Sequence, residues 1–447
     1  MPDFRLMLSG SLFIVALAAS GQFTPVFAAQ DGACTDSLAT PMTWGSAVDR
    51  LVRCNADVRL ALTQLESARA ERIIAGQIPN PQASFGAASI NTQKGIKSGN
   101  QDYQVDWLAR IDQLIERGGK RDLRISQAES GLLASRWQSA DTMRTALLAL
   151  SHAWSELWAA QERESLLDSA LVDFRRIEEV SRIRFNAGDI AQADLSRVVI
   201  DLQRIENDRE QARSERIRAQ QLMAFLLMMP LDATDLRVAS PWPALQGSFP
   251  EPDAIIIRPE IAAAEALLEK AKSARELARA LGTRDVVVGI QADRYPAPAG
   301  EGNTVGLYAS VPLFAWHRFE GELAKAESDY TAALVARQRL ENQTRTRQVQ
   351  LLQEREVSLE RWRRLRDNAL PLGDRLSVSI RLAYEQRAIS LLDMLDSLRV
   401  YRLLQIDTLE ARLQYEKSDA LARALLRISP QANDPVFRFV GMPETNP

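Results

Sequence analysis

The sequence RIRFNAGDIAQADL (residues 182–195) is followed later in the chain by a second version of itself, RLAYEQRAISLLDM (residues 381–394). The two versions share an initial arginine, an aromatic residue at the fourth position, an isoleucine at the ninth and an aspartate at the thirteenth. A similar match, at nearly the same separation of roughly 200 residues, joins QAES (127–130) to KAES (325–328). Such a period is too long for a solenoid repeat, so each half is predicted to be a whole structural module, the two packing by pseudo-symmetry.

These matches divide the chain into five predicted segments. They are a signal peptide (1–29), a first repeat (30–229), a linker (230–257), a second repeat (258–428) and a C-terminal tail (429–447).

The N-terminal segment has the features of a secretory signal peptide. An apolar run from Leu6 to Ala19 follows Arg5, and small residues suited to cleavage occur at Ala28 and Ala29. An uncleaved membrane anchor is the alternative, although the run is shorter than the roughly 20 residues that span a bilayer.

The chain has two cysteines, Cys34 and Cys54, and both follow the predicted signal peptide. In an oxidising compartment this pattern favours one disulfide. Two unpaired thiols, or a lipidated Cys34, are the alternatives. Metal binding by the cysteines is disfavoured because the two histidines, His152 and His317, are far away in sequence.

Composition indicates a folded protein without a nucleic-acid partner. Charged residues make up 25% of the chain and hydrophobic residues 46%, and the formal net charge is -3. A weakly acidic balance gives no electrostatic attraction for a phosphate backbone.

Two long helical hairpins are predicted, one in each repeat, over residues 120–229 and 320–428. Between Lys120 and Arg184 there is no proline and only one glycine, Gly131, and apolar residues recur at helical spacing. An interruption is predicted near Pro371-Leu372-Gly373. Charged residues of both signs follow these segments, which is typical of solvated helix faces.

A β-hairpin is predicted before each helical hairpin, over residues 82–113 and 285–313. In residues 103–112, apolar side chains alternate with mostly polar ones, which predicts a strand with one apolar face. Strands of about ten residues can cross an outer membrane when tilted. A single hairpin cannot remain in lipid with unpaired edges, so this interpretation requires several chains. Two soluble hairpins packed on helices are the alternative.

Four motifs stand out at the ends of these segments: Ile78-Pro79-Asn80-Pro81 before the first strand, Gln113 to Arg121 at the strand-to-helix junction, Val311-Pro312-Leu313-Phe314 in the second repeat, and Arg184 to Ile190 at the helical turn. In these motifs the sequence resembles the TolC family of outer-membrane efflux proteins, over about residues 45–430, and within it the heavy-metal, CzcC-like branch.

The resemblance implies a mainly α fold with a small β part. Three chains would contribute four strands each to a 12-stranded transmembrane barrel, continued by a periplasmic α-helical barrel. It also implies a homotrimer in the outer membrane of a Gram-negative bacterium, in contact with outer-membrane lipid. The partners would be a periplasmic adaptor and an inner-membrane pump of the RND type, and the cargo heavy-metal cations. A duct for drugs or other small organic molecules is the alternative.

In the resembled family, aspartates just after the second helical turn line the closed periplasmic aperture, and Asp393 and Asp396 occupy that place. Their spacing puts both carboxylates on one helix face. Threefold symmetry would stack them as two rings that attract cations and repel one another. The alternative is a capping box between Ser390 and Asp393, with Asp396 exposed to solvent.

The helical turns are also where the resembled family meets its periplasmic adaptor. The candidate docking residues are Arg184, Gly188, Asp189, Arg381 and Arg387. Gly188 of the first turn is replaced by Arg387 in the second, where the family often keeps glycine, which leaves the geometry of the second turn open.

The sequence shows no nucleophile–base pair, metal-ligand cluster or phosphate-binding loop, so neither an enzyme nor a cofactor is predicted. A periplasmic adaptor would carry one helical hairpin with lipoyl-like domains. A coiled-coil scaffold would not need strand-length segments at equivalent places in both halves. Both remain as less favoured alternatives.

Overall fold

The computed structural model describes residue 34 and residues 41–88, 105–230, 236–239, 258–295 and 302–426. The predicted signal peptide (1–29), the C-terminal tail (429–447) and most of the predicted linker (230–257) lie outside the described residues.

Within the described residues, each half contains a helical start, two strands and then long helices. The first half comprises α1 (Trp44–Cys54), α2 (Ala56–Gly76), β1 (Gln82–Ala88), β2 (Asp106–Ile115), α3 (Lys120–Asn186) and α4 (Gln192–Leu226). The second half comprises α5 (Pro259–Ala280), β3 (Val286–Tyr295), β4 (Gly302–Ser310), α6 (Glu320–Arg364), a π-helical segment (Leu365–Ala369), α7 (Leu370–Glu385) and α8 (Leu391–Leu426). The prediction of a mainly helical chain with a small β part is confirmed.

The long helices form because their sequences lack residues that stop a helix. Helix α3 has 67 residues and contains no proline, so at 1.5 Å per residue it extends about 100 Å. Helix α4, with 35 residues, returns alongside it. These helices far exceed the usual length of about a dozen residues.

The predicted interruption near Pro371 takes the form of a change of helical winding. The π-helical segment Leu365–Ala369 comes directly before α7, and Pro371 lies in the first turn of α7. The proline ring would clash with a carbonyl one turn earlier in a regular α-helix, and a wider turn accommodates it. The chain therefore continues as helix instead of ending there.

All four strands belong to one antiparallel sheet with the order β1-β2-β3-β4. The inner strands β2 and β3 pair with each other, so the two hairpins form one surface, and β1 and β4 are its edges. Strand β4 ends at Ser310, earlier than the predicted residue 313, because Pro312 has no N–H to donate to a ladder. Strand β2 extends to Ile115, beyond the predicted residue 113.

The N-terminal part of the described chain is tied to the helices by a disulfide. Cys34 and Cys54 are bonded, with their Cα atoms 5.7 Å apart. The buried Arg50 donates from Nη2 to the Cys34 carbonyl at 2.6 Å and from Nε to the Leu227 carbonyl at 2.9 Å. The disulfide therefore ties Cys34 to the end of α1, and Arg50 connects the Cys34 carbonyl to that of Leu227, directly after α4.

The largest apolar core lies where α1 and α2 pack against α3 and α4. Its buried side chains include Leu51, Leu65, Leu150, Trp154 and Met223. This core holds the middle of α3 and the C-terminal end of α4. A second, smaller core, described below, lies nearer the turns that end the helical hairpins.

A buried ionic pair fastens the sheet to the helices. Lys120, at the start of α3, donates from Nζ to both carboxylate oxygens of Asp285 at 2.9 Å and to the Thr283 carbonyl at 2.7 Å. The Lys120 side chain is 7% exposed. Because Asp285 directly precedes β3, this contact fixes the angle at which the sheet leaves the helices.

Replacing Lys120 with methionine is expected to lower the free energy of unfolding by about 2 kcal/mol, because hydrogen bonds to charged groups contribute roughly 1.5–3 kcal/mol. Chemical unfolding followed by circular dichroism measures this loss. Lys272→Met is the matched control, since the Lys272 side chain is 52% exposed and its ion pair is with Glu269 of the same helix, α5.

The effect of Lys120→Met should depend on pH in one direction. Burial by itself raises the pKa of Asp285, but Lys120 and the backbone N–H of Arg117 outweigh it, so the pKa lies below the ordinary value. The stabilisation is therefore complete at neutral pH and is lost as the pH falls through that lowered pKa. The stability difference between wild type and variant should shrink as the pH falls below the ordinary pKa of an aspartate. A difference that stays constant with pH would contradict the assignment.

Candidate functional site at the helical turns and on the sheet

The two turns that end the helical hairpins have the same backbone hydrogen bonds. After α3, the N–H of Gly188 donates to the Phe185 carbonyl at 2.9 Å and that of Asp189 to the Arg184 carbonyl at 2.8 Å. After α7, Arg387 donates to Tyr384 at 3.0 Å and Ala388 to Ala383 at 2.8 Å. Both are Schellman motifs.

The residue that needs a left-handed backbone is a glycine in one turn and an arginine in the other. Gly188 has φ 82° and Arg387 has φ 59°. A left-handed conformation costs a non-glycine residue roughly 1–2 kcal/mol. The second turn therefore has the same form as the first, although Arg387 stands where the first turn has glycine. The arginine adds local strain at this position.

Two of the candidate docking residues are occupied by contacts within the chain. Arg184 donates from Nη1 to the Tyr384 hydroxyl at 2.8 Å, and Arg381 pairs with Asp173 of α3 at 2.6 Å. Both contacts connect the first helical hairpin to α7. In contrast, Arg387 and Gly188 are exposed at the tips.

Asp189 is also exposed, in the turn that follows α3. Gly188, Asp189 and Arg387 are therefore the candidate docking residues that lie exposed in the two turns.

Asp393 forms the capping box that the sequence offered as an alternative. Its carboxylate accepts from the Ser390 hydroxyl at 2.6 Å and from the Ser390 N–H at 3.3 Å, while the Asp393 N–H donates to the Ser390 hydroxyl at 3.2 Å. The carboxylate is nevertheless exposed, so capping does not remove it from the surface.

Asp396 belongs to a chain of charges that joins α8 to α4. Its side chain is 66% exposed and lies 3.8 Å from Arg399. Arg399 also donates to Asp201 of α4 at 2.9 Å, and the Asp201 side chain is only 13% exposed. Asp201–Arg399 is therefore a direct ionic link between the two helical hairpins, beside the candidate gate.

The second apolar core lies beneath these charges. Residues of the first hairpin, including Phe174, Val198 and Ile205, pack against Leu391, Met394, Leu395 and Leu398 of α8. It holds the start of α8 against α3 and α4, so the two aspartates project from a packed helix and not from a loop.

The sheet has one apolar and one largely polar face, and the apolar face is the more exposed one. Register places Ile111, Ile290 and Leu307 side by side, at 61%, 59% and 90% exposure. Phe85 and Val305 lie on the same face, at 84% and 77%. Large apolar side chains in a continuous exposed patch mark an interaction surface.

The opposite face carries polar and charged side chains that are more covered. Asp112, opposite Gly289, is buried, and Arg110 of the same strand donates to it from Nε at 2.7 Å. This sheet covers its polar side chains and exposes its apolar ones, which is the reverse of the usual arrangement in a protein surrounded by water.

Over the described ranges, no three or more histidine, cysteine, aspartate or glutamate side chains are grouped so that they could bind a metal ion. Among the helices that the structure describes, none combines the length and the apolar character of a membrane-spanning helix.

Comparison with known proteins gives matches at the level of structure. No protein-family model and no curated protein matches the sequence. The CmeC outer membrane channel of Campylobacter jejuni matches with a TM-score of 0.74 at 15% identity, covering 95% of this chain and 94% of that one. The outer-membrane channel OprN matches with a TM-score of 0.73 at 18% identity, covering 86% and 90%.

The open state of the Neisseria gonorrhoeae MtrE outer membrane channel matches with a TM-score of 0.68 at 18% identity, covering 85% of this chain and 88% of that one. The similarity spans nearly the whole length of each protein, and at these identities it shows the fold. The chain therefore has the fold of bacterial outer-membrane channels.

The sequence could not show Asp201–Arg399, Arg184–Tyr384 or Arg381–Asp173, because each joins residues roughly 200 positions apart. The one available signal was the spacing of three between Asp396 and Arg399 on one helix.

Proposed function

We propose that this chain is one subunit of a homotrimeric outer-membrane channel in a tripartite efflux system, acting as a passive, gated duct. The observation that carries the proposal is the sheet, whose apolar face is exposed and whose polar face is covered. In lipid this arrangement places the apolar face against acyl chains and the polar face around a water-filled lumen.

The edges of the sheet supply the reason for more than one copy. Strands β1 and β4 each have an unpaired edge in the single chain. Unpaired backbone groups are not tolerated in hydrocarbon, so the sheet must close on other copies. Three copies with four strands each give a 12-stranded barrel, as the resemblance to the TolC family implies.

The trimer also gives a role to exposed apolar side chains on the long helices. Val172 and Ile183 of α3 and Phe225 of α4 are 68%, 63% and 66% exposed. A groove of about 900 Å³ beside α6 is lined by small and apolar residues such as Ala332 and Val335, and by the polar side chains of Glu327, Arg339 and Gln343. We propose that neighbouring copies cover these surfaces in a periplasmic helical barrel.

We propose that residues 30–229 and 258–428 are two copies of one unit, related by pseudo-symmetry within each subunit. The shared hydrogen-bond pattern of the turns at Gly188 and Arg387, both with a left-handed backbone, supports this relation. A trimer of such subunits would present six similar hairpin tips at its periplasmic end.

The gate in this proposal consists of Asp393 and Asp396. Both carboxylates are exposed near the start of α8, at the distal end of the helices. Three copies would form two carboxylate rings that repel one another and attract cations. The ionic link Asp201–Arg399 would hold α8 against α4 and so keep the aperture closed.

The exposed tips, with Arg184 and Arg381 behind them, form the proposed docking site for a periplasmic adaptor. Arg387 is the most informative residue to change, because glycine fits its left-handed backbone at least as well. Arg387→Gly is expected to weaken adaptor binding several-fold without loss of stability, measured by surface plasmon resonance with the purified adaptor.

Gly188→Arg is the reciprocal variant, since it gives the first turn the residue that the second turn has at the equivalent position. It is expected to destabilise the turn by about 1 kcal/mol while keeping its form. Unchanged adaptor affinity in Arg387→Gly would contradict a docking role for this side chain.

For the cargo we propose heavy-metal cations delivered by an inner-membrane pump of the RND type. The support is the motif resemblance to the CzcC-like branch together with the acidic residues at the proposed gate. Growth of a deletion strain across divalent metals, copper, silver and unrelated drugs tests this. Sensitivity to metals alone is the expected result. Sensitivity to drugs or detergents alone would show that the cargo is organic molecules and not metal cations.

Localisation and assembly are tested together. Membranes separated on a sucrose gradient should contain the protein in the outer-membrane fraction, and native mass spectrometry of the purified protein should give a trimer. A soluble monomer would instead favour the alternative of a periplasmic coiled-coil adaptor or scaffold.

A further inference from the structure

Four segments join the helices to the strands, and all four lie at the same end of the sheet. Register places the start of β1 beside the end of β2, the end of β2 beside the start of β3, and the start of β3 beside the end of β4. Residues 77–81 and 311–319 adjoin the edge strands β1 and β4 and are called the edge segments below. Residues 116–119 and 281–285 adjoin β2 and β3 and are called the inner segments.

The edge segments expose large apolar side chains. Ile78 is 64% exposed, Leu313 81% and Trp316 96%, and Ile74, at the end of α2, is 62% exposed. The inner segments, which the structure describes in full, expose no large apolar side chain and consist mostly of glycine and charged residues. Among the four segments, apolar exposure is therefore concentrated beside the two edges of the sheet.

Contacts within the chain order the segment after β4 and leave Leu313 and Trp316 outside. The rings of Phe314 and Phe319 meet edge to face with their centroids 5.3 Å apart, and the guanidinium carbon of Arg284 lies 5.3 Å from the Phe314 centroid. Phe319 has a left-handed backbone, with φ 66°, which an aromatic residue adopts only where its surroundings impose it. The two exposed side chains are thus presented by a fixed segment.

The segment before β1 is also held by contacts with the rest of the chain. Nε2 of Gln113 donates to the Pro79 carbonyl at 2.9 Å, and Nε of Arg121 donates to the Gly76 carbonyl at 2.9 Å. Ile78 lies between these two anchored carbonyls along the chain. Both edges of the sheet therefore carry a preformed apolar surface at the same end.

The distribution of these side chains favours a second copy of the chain over lipid as their partner. Lipid surrounds the whole circumference of a barrel, so residues that contact it at one end should recur at the inner strands as well as at the edges. Closing the sheet places β4 of one copy beside β1 of the next, at about 4.8 Å. The segment after β4 and the segment before β1 then leave the barrel side by side.

We infer that Leu313 and Trp316 of one copy pack against Ile74 and Ile78 of the next, which forms an apolar contact between subunits where the sheet meets the helices. The inference rests on the proposed function, since only a sheet closed by several copies brings the two edge segments together. The contact stabilises the trimer in addition to the strand pairing.

Cysteine pairs in the full-length protein, purified in detergent from membranes, test this contact. Ile78→Cys combined with Leu313→Cys, treated with a short bifunctional maleimide, should give covalent dimers and trimers on denaturing gels. Each single variant should remain monomeric on the same gels. Cys34 and Cys54 do not react, because they are joined in a disulfide.

The matched control combines Ile111→Cys with Leu313→Cys. Ile111 is 61% exposed, close to the 64% of Ile78, but it lies on the inner strand β2. This pair should give no covalent trimers.

Trp316→Ser measures how far the contact stabilises the trimer. The protein concentration at which half of the chains are trimeric, from native mass spectrometry of a dilution series in detergent, should rise at least about tenfold. The reason is that full burial of a large apolar side chain changes an equilibrium constant by more than this factor. Ile111→Ser should leave the concentration unchanged, because Ile111 lies away from the edges of the sheet.

A trimeric wild type in which the Ile78–Leu313 cysteine pair gives no covalent trimers would overturn the inference and leave the duct in place. A Trp316→Ser variant that assembles like the wild type but reaches the outer membrane in smaller amounts would also overturn it, because the side chain would then contact lipid. A monomeric wild type would overturn the proposed function and this inference with it.

Discussion

Replacing Arg399 with alanine is expected to shift the duct strongly toward its open state. The variant removes the ionic link to Asp201 at 2.9 Å, which joins α8 to α4 beside the proposed gate. A partly exposed pair of this kind contributes up to about 1 kcal/mol. Three copies would contribute about 3 kcal/mol, which shifts the closed-to-open equilibrium about a hundredfold.

Single-channel conductance in planar bilayers measures this shift as longer or more frequent high-conductance states. Arg197→Ala is the matched control, because the ion pair of Arg197, at 3.7 Å, is with Asp194 of its own helix. The exchange of charges in Asp201→Arg with Arg399→Asp should restore only part of the closed state, because the new side chains lie beside Arg204 and Asp396, which carry the same charges as they do. A closed channel in Arg399→Ala would contradict the assigned role of the link.

Replacing Ile290 with arginine is expected to prevent insertion into the outer membrane. Ile290 lies in the middle of β3, between Ile111 and Leu307 on the apolar face. Arginine on the lipid face at mid-membrane costs about 2–4 kcal/mol per chain, and therefore about 6–12 kcal/mol for a trimer. The amount of protein in the outer-membrane fraction measures the effect.

Thr304→Arg is the control, because Thr304 lies on the polar face, opposite Asp293. It introduces the same side chain into the same sheet and should insert normally. If both variants reached the outer membrane equally, the assignment of the two faces would be wrong.

Much of the fold could be predicted because its signals are local. The absence of proline predicted the continuous α3, and the alternation in residues 103–112 predicted β2. The disulfide between Cys34 and Cys54 is present in the structure, and it was accessible from the sequence because only two cysteines exist to be paired.

The details that the sequence did not show depend on contacts between distant elements or on strain. The π-helical segment before Pro371 replaces an expected break, because its wider turn accommodates the proline ring. The left-handed conformation of Arg387 runs against the intrinsic preference of arginine and is imposed by the turn.

The candidate gate includes one contact that the sequence predicts and another that it does not. The capping box of Ser390 and Asp393 is local, and its pattern was present in the sequence. The position of Arg399 between Asp396 and Asp201 requires two hairpins to be packed together, which no periodicity encodes. The roles assigned to these residues stay predictions until the variants are measured.

Cryo-electron microscopy of the full-length protein in lipid nanodiscs would show whether three chains close their sheets into one barrel in lipid. We expect a threefold assembly in which β1 of one copy pairs with β4 of the next, with Ile290 and Leu307 facing lipid and Arg110 facing the lumen. A single copy, or an assembly whose sheets lie outside the bilayer, would contradict it.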